Sequence, residues 1–86
     1  MAVGDETNPA VDYRHRLSLL EQAAEASYEL MYDARSPSDA TMHYSDAKEA
    51  LYDAIGLAQR AGFAEAAERL EKRLAHIKAV FRSQFT

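Results

Sequence analysis

The chain has no cysteine and no tryptophan, and only two prolines and three glycines interrupt its 86 residues. Without cysteine there is no disulfide scaffold, no thiolate nucleophile and no cysteine-based zinc site, and the composition suits a reducing compartment. So few breakers leave room for a few long helices and little else. Valine, isoleucine and threonine total only 8, and no stretch alternates apolar and polar residues over the length of a strand, so no sheet is expected. No apolar run approaches the roughly 20 residues that a membrane-spanning helix needs. The opening residues Met1 to Pro9 are acidic and polar where a secretory leader would be basic and then apolar, which points to the cytoplasm.

What is abundant is alanine, at 17 residues, against 16 for leucine, isoleucine, valine and phenylalanine together. Alanine is the best helix former and lets backbones approach closely, so the composition predicts ordered helices around a thin core. A chain of this length holds one domain, near the size at which a single core barely offsets chain entropy. A second copy is the usual remedy, so a homodimer is expected.

The punctuation divides the chain into a tail over residues 1–8 and one helical domain over 9–86. Asn8-Pro9 reads as an N-cap followed by proline at the first helical position. The first helix runs to about residue 34, with Tyr13, Leu17, Leu20, Ala24, Tyr28 and Met31 on one face and Glu21, Glu25 and Glu29 expected opposite them. Arg35-Ser36-Pro37 breaks it, because the residue before a proline leaves the helical region and Ser36 can cap the next helix. The second helix is expected over about 38–61, although Ser45-Asp46 offers a later start and leaves Ser38 to Tyr44 as a first turn or a loop. Its face is Ala47, Leu51, Ala54, Ile55, Ala58 and Ala61, closed by Gly62; Gly56, inside it, would mark a close backbone contact. The third helix, about 64–83, has the clearest period: Phe63, Ala67, Leu70, Leu74, Ile77 and Phe81 are spaced like a coiled-coil seam. The short link at Gly62 makes helices two and three an antiparallel hairpin. With the first helix packed back on it, the fold is an all-α antiparallel three-helix bundle, completed by dimerisation.

Chemistry-bearing residues are few. Asp39, His43 and Asp46 share a helix face and could form half of a site for iron, manganese or zinc. Carboxylate-bridged bundles also need Glu and Glu-x-x-His pairs on facing helices; the nearest match is Asp12-x-x-His15, so no metal and no cofactor is expected. A phosphotransfer histidine would need open space beside it, which the neighbours of His43 and His76 do not provide. There is no Gly-x-Ser-x-Gly, no phosphate loop and no strand to carry either, so no catalytic residue is assigned and the chain is read as a non-enzyme.

Charge is split along the sequence: residues 1–53 carry a net −7 and residues 54–86 a net +3. Arg69, Lys72, Arg73, Lys78 and Arg82 concentrate the positive charge on the third helix. The favoured reading pairs this helix with the acidic ones. The competing reading is a phosphate-binding footprint, which the pI near 5.2 disfavours. Tyrosines supply five of the eight aromatic residues, and Tyr32 and Tyr44 flank the link between the first two helices, where an apolar ring with a wet hydroxyl suits a protein interface.

The run Gly62-Phe63-Ala64-Glu65-Ala66-Ala67-Glu68-Arg69-Leu70 resembles the start of the second helix in a tetratricopeptide-type hairpin and the Gly-Phe loop of ubiquitin-associated domains. Only one such unit is present, its turn is a residue short, and its helices are about twice the length of the latter domain's, so no family is identified. The sequence therefore predicts a protein–protein interaction module. Its partners would be a second copy and another protein, met through Tyr32 and Tyr44 or through Arg69, Lys72 and Arg73.

Overall fold

A computed structural model describes residues 9–85, which form three helices: α1 (Pro9–Tyr32), α2 (Pro37–Ala61) and α3 (Ala64–Phe85). The expected cap Asn8 and the tail before it lie outside the described residues. Among those residues there is no strand. α2 is the central element, packed along α1 on one flank and α3 on the other.

The α1–α2 link settles the start of α2. Ser36 adopts extended φ −140 and ψ 154, and its hydroxyl accepts a hydrogen bond from the Asp39 backbone N–H at 3.1 Å. Pro37 comes next as the first helical residue, where its missing N–H leaves no donor unsatisfied. Ser38 to Tyr44 are thus helix, and Ala40, in the second turn, is fully buried.

The α2–α3 link is equally local in origin. Gly62 takes φ 80 in the left-handed region, while the Phe63 N–H donates to the Ala58 carbonyl at 2.8 Å and the Gly62 N–H to Gln59 at 3.2 Å. This pair of reversed bonds satisfies the last carbonyls of α2 and turns the chain back within two residues. A Cβ at Gly62 would meet nothing within 4 Å, so backbone conformation alone demands glycine there. Gly56 differs from expectation: a Cβ there would meet only the flexible Arg60 guanidinium at 3.3 Å, and no backbone comes close.

The main core joins Leu17 and Ala24 of α1, Leu51, Ala54, Ile55, Leu57 and Ala58 of α2, and Ala67, Leu70, Leu74 and Ile77 of α3. Ala24, Ala54 and Ala58 are wholly inaccessible, and their small side chains bring the helices together around Leu51 and Leu70. α2 buries a wider arc than its expected face, adding Ala40 and Leu57, because a central helix has neighbours on two sides. No polar or charged residue is buried among those described.

Candidate interaction surface

The basic flank of α3 is turned against α1. Arg69 grips Glu21 with two parallel bonds, from Nη1 to Oε1 at 2.8 Å and from Nη2 to Oε2 at 3.0 Å. One turn further, Arg73 donates from Nε to Oε2 of Glu25 at 2.8 Å and from Nη2 to the other oxygen. Both pairs span 48 positions, so α1 and α3 run parallel in a fixed register. Fork-on-fork geometry is the strong form of an Arg–carboxylate contact. Hydrogen bonding to Glu21 and Glu25 raises the pKa of Arg69 and Arg73 above the ordinary guanidinium value. The Arg73 guanidinium also lies 4.9 Å from the centroid of the Tyr28 ring, which presents its edge to Tyr32.

Glu21 and Glu25 were expected on the face opposite the core. They stand instead on the α1–α3 flank and are half-buried, because a second neighbour widens the contact arc of α1. Lys72 remains outward, with Glu68 on its own helix 4.0 Å away and both side chains mostly in water. Lys78 sits 5.4 Å from the centre of the Tyr52 ring; its hydrogen bonding, then its charge, draws the phenol below the ordinary value of 10.0.

The two link tyrosines have different fates. Tyr44 stacks on Phe81, centroids 3.9 Å apart and rings within 3° of parallel, and leaves its other face to the Lys48 ammonium at 4.3 Å. Tyr32 is half-exposed and touches Tyr28 edge-on at 5.6 Å between centroids. Asp39 and Asp46 are exposed and His43 is half-buried, and the described residues gather no group of three or more metal-ligating side chains. Asp12 is exposed and pairs with Arg16 at 3.6 Å.

Around Tyr32, which the sequence singled out, the structure adds apolar residues that the sequence did not. Leu19, Leu30, Tyr32, Met42 and Tyr52 each leave about half of their surface in water, at 51–52%. All five lie on α1 and α2. Leu19 and Tyr52, with Leu20, Gly56 and Leu57, line a shallow groove on the outer surface of that pair. The signal was present in α1, whose leucines fall on two faces rather than one: Leu17 is buried and Leu19 is exposed.

No protein-family model, curated protein or solved structure matches the chain. Its function has to be argued from its own surfaces. Two of these are distinct: a charged flank on which acid and base neutralise each other, and the apolar side chains of α1 and α2 that, among the described residues, leave about half of their surface in water.

Proposed function

We propose that this protein is a non-enzymatic helical interaction module that associates with itself and presents the outer surface of α1 and α2 to a partner protein. The observation that carries this reading is the half-exposure of Leu19, Leu30, Tyr32, Met42 and Tyr52 on those two helices. In so small a domain, an apolar surface left in water is a cost that association removes. No helix among the described residues is long and apolar enough to cross a membrane, and the cysteine-free chain suits the cytoplasm proposed for it.

The competing reading, phosphate binding by α3, would have to break both fork-on-fork pairs before Arg69 and Arg73 could meet a nucleic acid. One experiment addresses both. Sedimentation velocity of the full chain from about 1 to 500 μM should show a concentration-dependent dimer of micromolar affinity, the range expected of a modest interface. Fluorescence anisotropy with labelled duplex DNA at low salt should show no binding. A strict monomer at the highest concentration overturns self-association, and salt-sensitive DNA binding moves the working surface to α3.

A further inference from the structure

We infer that α1 and the turn residue after it carry a self-complementary seam, Arg16, Leu19, Ala23, Ala26, Leu30 and Asp33, through which two copies of this chain pair antiparallel; the Asp33 N–H donates to the Glu29 carbonyl at 3.1 Å and so continues the last helical turn. This deepens the self-association proposed above and rests on it. The six positions step by 3, 4, 3, 4 and 3 residues, the spacing that holds side chains in line along a helix that pairs with another. All six are exposed. At about 100° per residue they centre roughly a third of a turn away from Leu17, Ala24 and Met31, which face the core. They also lie away from Glu21 and Glu25, which face α3. The seam therefore looks outward, away from α3, with Arg16 and Leu19 at one end bordering α2 across the groove lined by Tyr52, Gly56 and Leu57.

Its order of residues specifies the occupant. The seam is symmetric about the point between Ala23 and Ala26, so an antiparallel second copy sets Leu19 against Leu30, Ala23 against Ala26, and Arg16 against Asp33, each contact occurring twice. The alanines at the centre let the two backbones approach, and the leucines close the apolar stretch on either side. A parallel copy would instead place Arg16 on Arg16 and Asp33 on Asp33, so the end charges select the antiparallel arrangement. Gln22 and Ser27, beside the centre, bring no charge to the contact. In the isolated chain Arg16 leans toward Asp12 at 3.6 Å, with both side chains more than half exposed, a contact weak enough to exchange for the new one. From Arg16 to Asp33 the seam is about 26 Å long. A single helix seam of this length makes a small interface, to which the adjoining groove lined by Leu19, Leu20 and Leu57 adds contact, and the affinity is modest.

The test is sedimentation equilibrium of the full chain and five variants, with circular dichroism to verify that each keeps its helix content. Leu19→Glu and Leu30→Glu, both on the exposed face, should each weaken the dimer at least about a hundredfold, since every substitution enters the interface twice. Arg16→Asp and Asp33→Arg should each weaken it about fivefold to tenfold, and the Arg16→Asp/Asp33→Arg double variant should return it to within about twofold of the unsubstituted chain. A dimer indifferent to Leu19→Glu and Leu30→Glu overturns the seam while leaving self-association standing. Loss of the dimer in both leucine variants without rescue by the double reversal overturns the antiparallel pairing. A strict monomer at about 500 μM overturns the seam together with the reading beneath it.

Discussion

The two sides of α1 that flank its buried face are built in opposite ways. Toward α3 it presents Glu21 and Glu25, and both are taken up by arginines within the same chain. Toward solvent it presents Leu19, Ala23, Ala26 and Leu30, which are exposed among the described residues. Charges and leucines have thus exchanged their ordinary places: the carboxylates face a neighbour and the leucines face water. Exposed ion pairs contribute little to stability, so the charged flank fixes the register of α1 against α3 more than how firmly they hold. The leucine side keeps about half of Leu19 and Leu30 in water until something covers it, and for that reason it is the side to which function is assigned.

The largest effect that could break this contrast comes from two leucines that are near neighbours in sequence. Leu17→Ala, at a site only 6% exposed, should cost about 2–4 kcal/mol of unfolding free energy, whereas Leu19→Ala, at 51% exposed, should change a dilute sample by less than about 0.5 kcal/mol. Urea melts at micromolar concentration measure both, and equal costs would show that the outer leucine is not outside. Next in size are the link tyrosines. Tyr44→Ser removes a ring stacked on Phe81 and should cost about 1–2 kcal/mol, while Tyr32→Ser should stay within about 0.5 kcal/mol and alter only association. If the two melt alike, Tyr32 belongs to the core and not to a surface.

The charged flank gives a smaller figure. A double-mutant cycle on Glu25 and Arg73, both replaced by alanine, should yield a coupling of about 0.5–1 kcal/mol, reduced because each side chain keeps a third or more of its surface in water. Coupling between Glu21 and Arg69, with the arginine 58% exposed, should be weaker, and both should shrink as salt rises. Because the arginine pKa values are raised by these partners, the contribution is fully present below the unfolded guanidinium value and is lost only as pH climbs through the folded one. A salt-insensitive coupling would mean packing, not charge, sets the α1–α3 register.

The smallest effect has no stability component near neutrality. Tyr52 lines the outer groove yet receives a positive charge from α3, and its depressed phenol should give an early component, below the ordinary value of 10.0, in an ultraviolet pH titration that starts from neutral. The contribution of a depressed folded pKa is fully present above the unfolded value and is lost as pH falls through the folded one, so the titration and not a melt is the readout. Replacing Lys78 by methionine should return that early component to the ordinary range. A titration unchanged by the substitution would separate Lys78 from the groove.

Much of this is legible in the residues. The spacing of Leu70, Leu74 and Ile77 fixes the buried face of α3, and Gly62 marks its turn, because helical period and left-handed backbone are properties of a segment and its immediate neighbours. The capping power of Ser36 is visible, but whether it acts depends on competition with Ser45-Asp46, which burial of Ala40 decides in favour of the earlier start. The expectation of an outward Glu21 and Glu25 fails because a helical wheel shows where a residue points and not how many neighbours surround the helix. The outer seam is written in the spacing from Arg16 to Asp33 but cannot be told from a second core face until one of the two leucine rows is shown to be covered.

The sequence by itself determined three alanine-rich helices, their turns and the apolar period of each, because these arise from short-range sterics and local hydrogen bonding. Only the tertiary structure decided that α2 lies between α1 and α3, that the glutamates of α1 meet the arginines of α3 in parallel register, and that Leu19 and Leu30 are left in water. Those outcomes depend on which face meets which across tens of residues, a choice that periodicity leaves open and that packing and charge make together.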